Sequence, residues 1–74
     1  MRNRTIQWCE SKVMEILNRQ AVTTYLAVSA LVLENVRSIE EQYNLDIAIE
    51  NLISKRMIKR TRIDGFTTYS LRAA

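Results

Sequence analysis

Five cationic side chains crowd eight positions of this 74-residue chain: Lys55, Arg56, Lys59, Arg60 and Arg62. Ammonium and guanidinium groups at that density suit the gripping of nucleic-acid phosphates, where each phosphate neutralised releases counterions and steepens the salt dependence of binding. The same strip also reads as a solvated face, with Lys55 and Arg56 complementing the C-terminal dipole of a helix. Just upstream, Gln42, Tyr43, Asn44 and Asn51 carry donors and acceptors suited to base edges and phosphates. Glu40, Glu41, Asp46 and Glu50 are interleaved with them and would repel a duplex. Tyr43 and Ile47 lie one helical turn apart, and Trp8 sits beside an apolar stripe; these three are the candidates for contact with a protein partner or a second copy. Ile63 and Phe66 flank a turn and read first as a cross-strand pair, alternatively as a wedge for a groove or pocket.

Catalytic chemistry has little to work with. The chain has no histidine, one cysteine, one glycine and no proline. That excludes a Cys/His nucleophile pair, a histidine general base, a zinc finger and a glycine-rich phosphate cradle. Cys9 lies on an apolar stripe and reads as a buried thiol. Glu40 and Glu41 are better explained by a helix cap than by acid–base work. No catalytic residue, metal ligand or cofactor is assigned, so the expectation is a protein that is not an enzyme.

The elements that must position these groups follow from periodicity. Ile6, Cys9, Val13, Ile16 and Leu17 recur on one face of an amphipathic helix, with Thr5 as its cap, over about 5–19. Residues 24–35 read as a second helix, apolar nearly all round, which should lie between its neighbours; Thr23 or Thr24 would cap it. The β-prone Ala21-Val22-Thr23-Thr24 allows a short extra strand. Ser38-Ile39-Glu40-Glu41 has the pattern of a capping box and opens a third helix, about 38–57. Its core stripe is Leu45, Ala48, Ile49, Leu52 and Ile53; Glu40, Tyr43, Ile47, Glu50 and Ser54 face outward. The period then changes to two. Residues 58–63 and 66–71 are β-prone runs joined by Asp64-Gly65, a two-residue hairpin signal. A type I′ turn there pairs Ile63 with Phe66, Arg62 with Thr67, Thr61 with Thr68, Arg60 with Tyr69 and Ile58 with Leu71, laying Arg60 over the Tyr69 ring.

Composition fits one domain over residues 1–74, 47% hydrophobic and 26% charged. A domain of this size buries only about 60% of its unfolded surface and is expected to be marginally stable. The net charge of +3 hides a split: residues 1–19 carry +2, 20–37 none, 38–54 −4 and 55–74 +5. No apolar run follows the polar Met1-Arg2-Asn3-Arg4, and the longest such run, near residues 25–33, would cover only about half a bilayer. A cytoplasmic location without membrane contact is expected, in keeping with a lone free cysteine.

Three helices followed by a two-stranded hairpin in about 70 residues resemble the winged-helix family. The closest match is Leu52-Ile53-Ser54-Lys55-Arg56-Met57-Ile58-Lys59-Arg60, with Gly65 and Tyr69-Ser70-Leu71 after it, over about residues 39–72. The chain departs from the pattern at Arg56, where glycine is common, and lacks a tight helix-turn-helix signature between helices 2 and 3. The same stretch is similar to the C-terminal winged-helix domain of cullins. The position matching their modifier-accepting lysine is Asn18, so that role does not carry over. The resemblance implies an α+β winged helix in which helix 3 enters the major groove of double-stranded DNA and the hairpin, the wing, contacts its backbone. On this reading the chain is a DNA-binding transcriptional regulator or accessory factor. The alternative is an interaction module that uses the acidic third helix within a larger complex.

Overall fold

The computed structural model describes residues 5–34 and 38–72; the chain ends and Asn35, the expected last residue of the second helix, lie outside them. Helix α1 spans Ile6–Arg19, strand β1 Thr23–Thr24, helix α2 Tyr25–Leu33, helix α3 Ile39–Ser54, strand β2 Ile58–Ile63 and strand β3 Phe66–Leu71. The architecture is α+β. Among the described residues three helices carry a three-stranded antiparallel sheet of order β1-β3-β2, and its C-terminal hairpin projects as a wing.

Each helix starts at a hydroxyl that accepts an otherwise unpaired amide of the first turn. Thr5 Oγ1 accepts from the Trp8 amide at 3.1 Å, Thr24 Oγ1 from Ala27 at 3.1 Å and Ser38 Oγ from Glu41 at 3.3 Å. The core is built from Cys9, Val13 and Leu17 of α1, Val28, Val32 and Leu33 of α2, and Leu45, Ala48, Ile49 and Leu52 of α3. Ile58 and Tyr69 close it from the sheet, while Ile6, Ile16 and Ile53 pack half-buried at its margin. Helix α2 departs from expectation. It buries one side only, leaving Leu26 71% and Leu31 52% exposed. Nine residues that are nearly all apolar do not secure burial on all sides in so small a domain, where there are too few elements to surround any helix.

The hairpin has the register that a two-residue turn dictates, from Ile63↔Phe66 to Ile58↔Leu71. Asp64 and Gly65 both take positive φ, 51° and 83°, as a type I′ turn requires. Strand β1 extends the sheet through Thr23↔Tyr69 and Thr24↔Thr68.

Helix α3 stops at Ser54, three residues before its apolar pattern fades. The backbone there makes a Schellman turn: Met57 N–H donates to Leu52 C=O and Arg56 N–H to Ile53 C=O, each at 3.0 Å. Arg56 occupies the left-handed position with φ 61°. A residue with a Cβ is disfavoured in that conformation by roughly 1–2 kcal/mol, whereas glycine adopts it freely. Arg56→Gly is therefore expected to stabilise the fold by about 1 kcal/mol. In a domain of this size that raises Tm by roughly 4–8 °C, readable in a far-UV circular dichroism melt.

Candidate nucleic-acid interface

The Schellman turn brings the end of α3 directly into β2, so the cationic strip wraps from a helix terminus onto a strand. Ile58 is buried at the base of β2 and fixes the alternation beyond it. Arg60 and Arg62 fall on the face shared with Ile58 and Tyr69, whereas Lys59 falls on the other face with Ile63 and Phe66. One continuous cationic stripe in sequence is thus divided between the two faces of the wing.

Several of these groups are engaged within the chain. Arg60 is held by the carboxylate of Glu50 on α3, and its guanidinium lies 5.7 Å from the Tyr69 ring centroid, as the pairing implied. The Glu50 hydrogen bond holds the Arg60 guanidinium above its ordinary range. Lys55 Nζ donates to Glu10 Oε1 at 3.1 Å and Asn51 Nδ2 to Glu10 Oε2 at 3.2 Å, so one α1 carboxylate gathers both at the end of α3. Arg56, Lys59 and Arg62 are exposed and make no ion pair among the described residues.

On the rest of α3, Gln42 donates to the Tyr25 hydroxyl, which itself donates to Asp46 Oδ1 at 2.6 Å. Tyr25 begins α2, so this relay ties the two helices. Burial first, then the hydrogen bond and negative charge of Asp46, push the Tyr25 phenol well above the usual tyrosine range. Asn44 is half-buried, Tyr43 is 64% exposed and Ile47 is half-buried beside it. Ile39, Tyr43, Asp46 and Glu50 therefore share the outer face of α3, opposite Leu45, Ala48 and Leu52. Trp8 is half-buried at the margin of the core, with Lys12 Nζ 5.5 Å above its ring.

The cations and amides could be named from sequence, but Glu10 and Tyr25, the two residues that organise them, could not. Neither has a local signature, because their partners lie 41, 45, 17 and 21 positions away. Asp46 and Glu50, which had no local explanation, turn out to accept from Tyr25 and Arg60.

Among the described residues no three His, Cys, Asp or Glu side chains are grouped to hold a metal ion, and no helix is long and apolar enough to cross a membrane. No family model, curated protein or solved structure matches the chain.

The Tyr25 relay has a measurable pH signature. Its phenol is held protonated in the folded chain and is free to ionise when unfolded, so the stabilisation is complete below the ordinary tyrosine value of about 10. It is lost as pH rises above that value, because the unfolded state sheds the proton first. Tyr25→Phe is expected to cost about 1 kcal/mol at neutral pH and to make urea stability fall less steeply between pH 9 and 11.

Proposed function

We propose that this chain is a small, non-enzymatic DNA-binding protein of winged-helix type, a transcriptional regulator or accessory factor that acts by occupying a duplex. The observation that carries this reading is a set of exposed cations, Arg56 at the α3–wing junction, Lys59 near the base of the wing and Arg62 near its tip, that make no ion pair among the described residues. Lys59 and Arg62 would hold phosphates on either side of the wing, with Tyr43 turned toward the groove. Arg60 would join them by exchanging Glu50 for phosphate. Gln42 and Asn51 are occupied by Tyr25 and Glu10, so base reading through them would require those bonds to open. A reducing, cytoplasmic setting belongs to the same proposal.

A second reading is favoured by the outer face of α3. Ile39 is 87% exposed and Tyr43 64%, with Asp46 and Glu50 alongside. An acidic, apolar helix face suits a basic protein partner better than a phosphate backbone, and would make the chain a module of a larger complex.

Fluorescence anisotropy with a short duplex across a salt series separates the two. The parent should bind at low salt. Lys59→Ala with Arg62→Ala should weaken binding and lower the slope of log K against log salt by roughly one for each phosphate no longer neutralised. A parent that passes unretained through heparin and duplex resins at low salt rules out the DNA reading. Glu50→Gln frees Arg60 and should tighten duplex binding by roughly two- to ten-fold. Glu40→Gln, the same change of charge without a released arginine, should tighten it less.

A further inference from the structure

The outer face of α1 carries a pattern that the DNA reading does not use. Trp8, Lys12, Glu15 and Arg19 recur at spacings of four, three and four, which places them within an arc of about 60° along about 16 Å of helix. Within one copy they are linked in a row. Lys12 Nζ lies 5.5 Å from the Trp8 ring centroid and 3.2 Å from Glu15 Oε1, and Arg19 Nη2 lies 3.4 Å from Glu15 Oε2. Apart from half-buried Trp8 the row is open to solvent, with Lys12 43%, Glu15 45% and Arg19 76% exposed at the side chain.

The row is its own complement when reversed. Lys12 and Glu15 lie equally far from the point midway between Val13 and Met14, and so do Trp8 and Arg19. We propose that this ridge of α1 is an isologous dimer interface that takes a second copy of the chain, antiparallel, about a two-fold axis at that midpoint. Lys12 then faces Glu15 of the second copy, and Arg19 faces the Trp8 ring of the second copy, with both contacts repeated by the symmetry.

The surroundings fit an occupant of helical width. A groove of about 810 Å³ runs along one side of the ridge and one of about 500 Å³ along the other, and all four ridge residues line both. Met57, 42% exposed, walls the first groove, and Leu31, 52% exposed, walls the second. A second helix laid along the ridge covers apolar surface that a monomer leaves in water. The ion pairs it must re-partner are exposed and exchange with little loss. None of this depends on nucleic acid, so its failure and that of the DNA reading can be told apart.

Sedimentation velocity without DNA is the test, using the parent, Lys12→Glu and Glu15→Lys. The parent should pass from monomer to dimer as its concentration rises to about 1 mM, enough to populate even a weak contact. Each reversal sets like charges face to face twice and should weaken dimerisation by roughly ten-fold or more. Mixed in equal amounts, the two variants oppose the all-acidic ridge centre of one chain to the all-basic ridge centre of the other, and the mixture should recover dimer. Far-UV melts confirm that both variants fold, and emission from Trp8, the single tryptophan, should shift blue as the dimer forms. A parent that stays monomeric, single reversals that dimerise as the parent does, or a mixture that stays monomeric each overturns the proposal.

Discussion

The seam between α1 and α3 organises the molecule. Cys9, Val13 and Leu17 pack there against Leu45, Ala48, Ile49 and Leu52, all buried to within 2% of complete exclusion. A chain of this length has room for one such seam. Helix α2 covers one flank of it and the sheet closes an end through Ile58 and Tyr69. Two consequences follow. Ile58 can enter the core only if the chain reverses sharply after Ser54, which is why Arg56 is driven into a left-handed conformation. And because α1 and α3 are packed so closely, Glu10 comes within reach of both Asn51 and Lys55.

Carboxylates then decide which cations are available. Glu10 is 17% exposed at its side chain, so losing Lys55 would strand a largely dehydrated charge. Glu50 is 60% exposed, and water can take the place of Arg60 with little loss. The two ion pairs look alike in sequence, each a basic residue of the strip with an acidic partner, yet burial makes one structural and the other exchangeable. Asp46 is a third case: its partner is a phenol, which brings no countercharge to the outer face of α3. Among the described residues the acidic character of that face is therefore reduced by an ion pair at Glu50 but not at Asp46.

Features governed by neighbours in sequence were legible. The two-residue Asp64-Gly65 turn leaves the strands one register, and every pair follows from it, including Arg60 over Tyr69. The caps at Thr5 and Ser38 follow from hydroxyls placed just ahead of apolar periodicity, whereas the sequence left Thr23 and Thr24 open and the structure selects Thr24. What escaped depends on tertiary distance. The end of α3 was hidden because Lys55, Arg56 and Met57 are all adequate helix formers, and only the need to bury Ile58 stops the helix at Ser54. The open side of α2 was hidden because an apolar sequence says how much surface would gain by burial, not whether neighbours exist to provide it. At the candidate site the cation types were readable from the strip. Their division into engaged and free members was not, since it rests on Glu10 and Glu50.

The same physics separates the tasks open to the surface. Lys55 is committed to Glu10, and with Asn51 it fixes the end of α3 relative to α1, so its contribution is to hold a geometry. Lys59 and Arg62, extended from opposite faces of the hairpin, have no such commitment among the described residues. Arg60 lies between these limits: Tyr69 steers its guanidinium by stacking while Glu50 neutralises it, and a phosphate needs only to outcompete a hydrated carboxylate. An anion approaching the wing would meet Lys59 and Arg62, which make no ion pair among the described residues, and recruit Arg60 by displacing one exposed ion pair. That ordering arises from burial: the exchangeable pair, Glu50 with Arg60, is the solvent-exposed one, and the committed pair, Glu10 with Lys55, is not.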